Sequence, residues 1–478
     1  MQRQILTGVQ PVTLIAIAGV GFTGALAVAA EPLVTFDQIW EVMDHSYAQF
    51  DIKGVDWDMQ RGAFRSRITA ETTDDELFEV SMDMLRTLND PHVCLTTEAG
   101  RACSDVPKPG GGGFSSDLIA EKYLTGGATM LSGGVTFGWA ADGVGYIWIR
   151  HCRTDAGDAE LAIDQAMSEL KGADAMIVDI RSHPGGADNV AELYAGRFAD
   201  TKRHFMTGKT RYGAGHSDFL PPTYWNVEPS GAEQFTGPTV VLTNRQTSSA
   251  GDTLRLAFGV LPHVTVVGET TEGALGSQYP EQLANGWTLE LAFVANLDNM
   301  GKSWDGIGIA PDVEATTTPA DIAEGRDPIL DSGLALIEEG GLRVSDESDG
   351  IATVRESLVK SYIGLADVEG AERAGAWLDE QLALQSDEQF LSVSEAFTYV
   401  QMLFGQGRAA ECFDLLGACK REYPHVQASY GMLALLQLQT GDVDGARSTV
   451  AEADGVVAWY SWEAGFMNQA KGALGIDS

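Results

Sequence analysis

The sequence predicts an α/β chain: a layered β/α core with helices before it and an all-α tail after it. Three observations carry this. Apolar residues in the first ninety positions recur at three- and four-residue spacing, the mark of helices with one buried face. Between about 143 and 300, short apolar runs alternate with helical patterns, as in strands covered by crossover helices. From about 345 the strand-like runs stop and helical periodicity continues.

The chain has 478 residues, 44% of them hydrophobic, enough for a large core and two or three domains. Its first segment, MQRQILTGVQPVTLIAIAGVGFTGALAVAAEP, carries Arg3, no acid before Glu31, and an apolar stretch ending in Ala27-Val28-Ala29. This reads residues 1–30 as a secretory signal peptide and places the protein in a periplasm or outside the cell. Left uncleaved, the same stretch approaches membrane-spanning length and would anchor the chain. The 68 acidic residues outnumber the 31 basic ones, for a net charge of -37. Such a surface repels nucleic acid and anionic lipid, which excludes both as general partners.

Residues 31–105 read as a helical cap. Phe36, Ile39, Trp40 and Met43 share one helical face, and Leu77, Val80, Met84 and Leu85 another. A Gly- and Pro-rich loop between Ala99 and Gly113 leads into the main domain, 106–344. There GVGYIWIRH reads as a strand and DAELAIDQAMSELKG as a helix burying Leu161, Ala162, Ala166 and Leu170. ADAMIVDIR follows as a central strand, then a helix to about Phe198. Tyr212 to Gly237 reads as a long loop. PTVVL, a helix, VTVVGET, a Gly-rich turn and LELAFVANL complete the core. In the tail, 345–478, GRAAECFDLL at Gly407 is echoed by GDVDGARSTV at Gly441, thirty-four residues on, the period of tetratricopeptide repeats. The tail is thus a structural appendage or a surface for a protein partner.

Five cysteines cannot all pair within one chain. Cys412 and Cys419 fall on one helix, roughly 10 Å apart at about 1.5 Å per residue, too far to bridge. Cys94 and Cys103 remain a candidate pair, and no spacing suggests a metal site.

The chemistry centres on TNRQTSSAGDTLRLAFG, Thr243 to Gly259. A serine between a buried strand and a helix is either an ordinary N-cap or a nucleophile presented on a sharp turn. In the second case the N–H groups at the helix start face the developing oxyanion. A nucleophilic serine needs a base with an orienting group. Among eight histidines, His92 in LRTLNDPHVCL stands beside Asp90 and Pro91. The paired glycines of DIRSHPGG, Asp179 to Gly186, permit close backbone approach.

The ordered set LNDPH, DIRSHPGG, VVLTNRQTSSAGD, VTVVGETTEGALG and WDGIGIAPD resembles the C-terminal-processing (tail-specific) serine peptidases. Within them it is most similar to the branch of the tricorn protease core and the interphotoreceptor retinoid-binding protein modules. The likeness spans about residues 33–340 and implies a crotonase-like β/α core. It implies Ser249 as nucleophile, with Asp252 where the family usually has Glu. It implies an oxyanion hole from Ala250 and from Gly185 or Gly186. The serine–lysine branch has a lysine where this chain has Ala274, which excludes that dyad. The tricorn-like pattern instead implies His92 as base and Asp305 as its acid, with Lys302 a weaker substitute base. Asp305 is one methylene shorter than the usual Glu, which leaves open whether it meets His92 directly or through a water or another residue. No PDZ module is visible between Cys94 and Ala140. Substrate choice then falls to the cap, the loop near Gly111, and RYGAGHSDFLPPTYW; His216 and Asp252 are the candidate substrate-binding residues. The resemblance implies a serine endopeptidase for peptides or unfolded proteins that needs neither metal nor cofactor. A hydrophobic-ligand carrier on the same fold, or a scaffold working through the tail, are the alternatives.

Overall fold

A computed structural model describes residues 31–105, 112–141, 143–341, 356–384 and 389–476. The signal-peptide reading, residues 106–111 of the Gly-rich loop and the start of the tail lie outside these residues. The chain divides into two compact units, one holding residues 29–354 and the other residues 355–478.

The first unit is built on two sheets. Among the described residues, one runs in the order Val313–Glu314, Val264–Gly268, Thr239–Thr243, Ala175–Asp179, Val144–Ile149, Val135–Ala141, Thr125–Met130. Its centre is parallel, and the last two strands are antiparallel additions. The central strands are buried throughout, which explains their continuous apolar runs. Ile147, Ile149, Met176, Val178, Val241 and Val266 pack with the helices Ala156–Glu169, Asp188–Ala195 and Ala250–Gly259. Tyr146, Ile177, Val240, Leu242 and Val267 pack instead with Ile329 and Leu330 of the helix Pro328–Glu339. A fully buried ion group braces that helix: Arg181 donates to Asp179 at 2.6 Å and to Asp327 at 2.7 Å. Tyr146 and Thr317 donate their hydroxyls to the same two acids, so these buried charges are paired and hydrogen-bonded.

The second sheet is antiparallel, in the order Gly100–Cys103, Cys94–Thr97, Thr288–Asp298, Arg203–Thr210, Thr223–Val227, with Ser277–Gln282 also pairing with Thr288–Asp298. Cys94 and Cys103 face each other in register and are disulfide-bonded. The cap consists of Pro32–Ser46, Phe50–Lys53, Trp57–Arg65 and Asp74–Arg86. Proline suits the first turn of the first helix. A reciprocal Thr73–Glu76 capping box starts the last. All the face residues expected in the first and last helices are buried.

Three expectations are corrected. The region read as a helical cap to 105, with a loop from Ala99, contains the strands Cys94–Thr97 and Gly100–Cys103. Leu161 is 73% exposed; the helix starts at Ala156, and Ala159, Ala162, Ile163, Ala166 and Met167 make its buried face. The stretch 212–237 is not one loop, because Thr223–Val227 forms a strand. Its alternation was masked by Trp225 and Tyr224, which are only half-buried.

In the second unit the helices Val393–Gly405, Gln427–Gln439 and Ser461–Leu474 begin at equal spacing, with Ala409–Glu422 and Val443–Glu452 between them. Cys412 and Cys419 share the helix Ala409–Glu422, and both are buried free thiols.

The disulfide closes the short hairpin that follows His92. A loop of this length restricts the unfolded chain by about 3 kcal/mol. The Cys94→Ala/Cys103→Ala variant should lose stability of that order in a denaturant titration; an unchanged midpoint would show that the bridge adds nothing.

Candidate active site

Ser249 ends the turn between the strand Thr239–Thr243 and the helix Ala250–Gly259. The turn is tightly tied. Asn244 Oδ1 accepts from the N–H groups of Ser182 at 2.9 Å and Gln246 at 3.1 Å. Thr247 donates its hydroxyl to the Ile180 carbonyl at 2.9 Å, and Ser248 its N–H to the His183 carbonyl at 3.0 Å. Ser249 is held at φ 57° and ψ −121°, a strained conformation for a residue with a Cβ. Among the described residues the non-glycine positions with positive φ are Asn89, Ser182 and Ser249. Each lies in a different one of the three segments that meet here.

Asp252, one turn into the helix, is fully buried. Its carboxylate accepts from the N–H of Ser249 at 2.9 Å, of Gly273 at 3.1 Å and of Ala274 at 3.0 Å. It was expected as a substrate contact. Its contacts are internal, and its place is to fix the serine against the segment GALG. Burial pushes its carboxyl up to about 6, partly countered by the Thr271 side chain and these N–H donors.

The glycine turn sits directly behind the serine. A Cβ on Gly185 would fall 2.5 Å from Ser249 Cβ and 2.9 Å from its Oγ, and Gly185 has φ 88°. Both facts demand glycine. The Gly185 N–H donates to His183 Nδ1 at 3.1 Å, so it is already used. The N–H groups of Gly186 and Ala250 donate to no other group among the described residues. Hydrogen bonds from Cys152 N–H to the Gly185 carbonyl and from Ala187 N–H to the Cys152 carbonyl, 3.0 and 2.9 Å, hold the turn in place.

His92 comes from the other sheet, in the turn between the helix Asp74–Arg86 and the strand Cys94–Thr97. Its N–H donates to Asp90 Oδ1 at 2.9 Å. Its Nδ1 faces the Gly276 carbonyl in a short contact. A carbonyl can only accept, so Nδ1 carries the proton and Nε2 keeps its lone pair.

Asp305 does not hydrogen-bond His92. Its Oδ1 accepts from the N–H of Leu275 at 2.6 Å and of Gly276 at 3.1 Å; its Oδ2 accepts from Gln49 Nε2 at 3.0 Å. The acid therefore acts on the imidazole through Gly276. Burial raises its carboxyl, and the charge of Asp90 raises it further, against Lys53 and His92. Gln49 also reaches Asp90 at 3.3 Å, where Tyr47 donates its hydroxyl at 2.6 Å. Lys53 Nζ donates to the carbonyls of Asn89 and Asp305, at 3.1 and 2.9 Å. Tyr47, Gln49 and Lys53 were missed by sequence reasoning. A polar residue between Tyr47 and Phe50 was the available signal, and its meaning lies in residues more than forty positions away.

Two other expected residues are occupied elsewhere. His216 Nε2 meets Asp44 Oδ1 at 2.9 Å, and its ring packs on Phe50 at 4.7 Å, clamping its loop to the cap. Lys302 Nζ stands over the Trp304 ring at 3.3 Å. Ala274 is buried, leaving no lysine in that turn.

A strained serine at a helix start, two free N–H groups beside it, and a histidine held in the tautomer of a base are the parts of a serine peptidase site. The sequence profile of Peptidase family S41 matches residues 143–315, and that of the Tricorn protease C1 domain matches residues 28–86. Both matches support a serine-type peptidase related to the C-terminal-processing S41 family. The chain is 35% identical over 167 residues to the protein named "Putative tricorn protease homolog 2" of Streptomyces coelicolor, covering 34% of this chain and 13% of that protein. It is 30% identical over 162 residues to carboxy-terminal processing protease CtpA of Bacillus subtilis, covering 34% and 32%. The chain thus spans a third or less of the length of these two curated relatives. The crystal structure of a "putative peptidase" from Parabacteroides merdae matches with a TM-score of 0.56 and 26% identity, over 68% of this chain and 100% of that one. Residues 31–341 thus share the mixed α/β architecture of solved relatives.

Asp252 gives the site a pH signature. Its folded pKa of about 6 lies above the ordinary 3.8, so between those values the folded chain holds more protons than the unfolded one. Stability from this group is fullest below pH 4 and falls by about 3 kcal/mol as pH rises through 6. Denaturant titrations at pH 4.5 and 7.5 should show a larger drop for wild type than for Asp252→Asn; parallel losses would refute the assignment.

Proposed function

We propose that this chain hydrolyses peptide bonds in peptides or unfolded proteins through an acyl-enzyme on Ser249, with His92 as base. The observation that carries the reading is Ser249 itself. It is held in a strained conformation at a helix start, with the glycine turn at its side chain and free N–H groups of Gly186 and Ala250 beside it. A serine that only capped the helix would have no need of that strain.

His92 Nε2 takes the proton from Ser249 Oγ as the oxygen attacks the peptide carbonyl. The carbonyl oxygen becomes an oxyanion facing the N–H groups of Ala250 and Gly186. When the C–N bond breaks, His92 returns the proton to the leaving amine. Water then attacks the acyl ester by the same path, and Ser249 regains its hydrogen. Asp305 serves as a positioning residue, keeping Leu275 and Gly276 where the Gly276 carbonyl orients the imidazole. With the Gly185 N–H bound to His183, Gly186 is the donor from that turn.

Export to a periplasm or the exterior fits the Cys94–Cys103 bridge, since such bonds persist in oxidising compartments. The recurring helices of the tail are assigned a protein-contact role. No observation favours the ligand-carrier alternative, because a carrier gains nothing from a strained serine facing free N–H groups.

Incubation with unfolded casein and a mixed peptide library, read by mass spectrometry, tests the proposal. Ser249→Ala and His92→Ala should each lower turnover by about 10⁴-fold or more. Asp305→Ala should cost about 100-fold, the loss expected from misplacing a reacting group by about 1 Å. Cleavage that survives in folded Ser249→Ala would sink the proposal.

A further inference from the structure

Asp188 lies just beyond the glycine turn at Ser249 and takes no part in the acyl transfer described above. It opens the helix Asp188–Ala195, two residues beyond Gly186. Its Oδ1 accepts from the Thr253 hydroxyl at 2.7 Å, and Thr253 stands one turn beyond Ser249 on the nucleophile's own helix. It is thus tied to the glycine turn by sequence and to the helix of Ser249 by a hydrogen bond. The neighbouring Gly186 and Ala187 are exposed, and Ser248, Ser249 and Asp188 are partly so.

The carboxylate is not balanced. Thr253 is a neutral donor to one oxygen, and no Lys or Arg pairs with Asp188 among the described residues. Burial pushes the carboxyl up to about 6, the Thr253 hydroxyl and His92 pull it down, and Glu192, one turn along the helix, raises it again. A carboxylate partly withdrawn from water without a cation is a place where a cationic ligand gains a charged hydrogen bond. Every other buried acid at the site is covered by donors: Asp252 by three N–H groups, Asp305 by two N–H groups and Gln49, and Asp90 by Tyr47, Gln49 and the His92 N–H. Asp188 alone of these has a single donor and an open side.

We propose that Asp188 is the recognition group for a cationic side chain, Lys or Arg, at one of the two substrate residues flanking the scissile bond. This rests on the peptidase reading and names its substrate class. The net charge of -37 acts in the same direction, drawing basic segments toward the chain before they dock.

The test uses the full chain and short blocked peptides carrying Arg, Lys, citrulline or norleucine, placed either before or after the cleaved bond. Wild type should cleave the Arg and Lys peptides of one series about 10- to 100-fold faster, in kcat/KM, than their neutral counterparts, the range of a charged hydrogen bond. In Asp188→Asn, which keeps an acceptor for Thr253, that ratio should collapse toward one. Equal rates for charged and neutral peptides in wild type, or a ratio preserved in Asp188→Asn, would overturn the proposal. Calorimetric binding of the Arg and norleucine peptides to Ser249→Ala, and to Ser249→Ala/Asp188→Asn, separates this result from failure of the peptidase reading. If wild type cleaves nothing, tighter Arg binding that depends on Asp188 still supports the site, and equal binding refutes it.

Discussion

Four consecutive backbone N–H groups, from Gly273 to Gly276, are taken by two buried carboxylates. Asp252 holds the first pair and Asp305 the second. The carbonyl that ends the segment meets His92, and Asn296 Nδ2 holds the Leu275 carbonyl at 2.6 Å. Asp252 also holds the Ser249 N–H. One short stretch of backbone therefore ties Ser249, on the parallel sheet, to His92 beside the antiparallel one. A carboxylate buried without donors would stay neutral or shift the chain to expose itself. These two have donors, but only in this arrangement, so the charges and the backbone geometry each require the other.

Strain is distributed in the same way. Ser249, Ser182 and Asn89 each hold a positive φ that costs on the order of 1–3 kcal/mol. Each is over-determined by its neighbours. Ser182 donates its N–H to Asn244 and its hydroxyl to Gln246. Asn89 donates to the Gly306 carbonyl, and a Cβ on Gly306 would collide with the Asn89 carbonyl oxygen. The folding energy that opposes this strain comes from the sheet core beneath, where Val178, Val241 and Val266 are completely buried.

How far this could be read from sequence depends on range. The central strands and the helix after Ser249 were legible because continuous apolar runs and helical periodicity are local signals. The glycine turns were legible because positive φ and close approach leave few other residues. Leu161 was misassigned because hydrophobicity alone does not say which of two neighbouring apolar stripes faces inward. Thr223–Val227 was missed because its aromatic residues are partly exposed at the sheet edge, so burial did not alternate. Gln49 and Tyr47 were not legible at all: their roles come from Asp90, Asp305 and Ser303, which only the fold brings near. Asp188 hid for a similar reason. It follows a turn whose glycines carried the signal, and its own importance lies in what it lacks, a cation, which no local pattern records.

The short acid at position 305 has a consequence for how the base is held. A longer side chain could reach the imidazole itself; Asp305 reaches the backbone one residue short of it. The group against Nδ1 is then a carbonyl, a fixed dipole that does not titrate and cannot donate. The tautomer of neutral His92 is therefore set by a backbone acceptor for as long as the segment stays in place. What Asp305 adds is the position of that carbonyl and a negative charge one residue removed, whose field would favour an imidazolium in the proposed proton transfer. Orientation and charge stabilisation, combined in a single contact where an acid touches histidine directly, are here divided between a backbone carbonyl and the carboxylate behind it. The division makes the base depend on the whole Gly273–Gly276 segment, and through Asp252 that segment also fixes the serine. Displacing it should move both reacting groups at once.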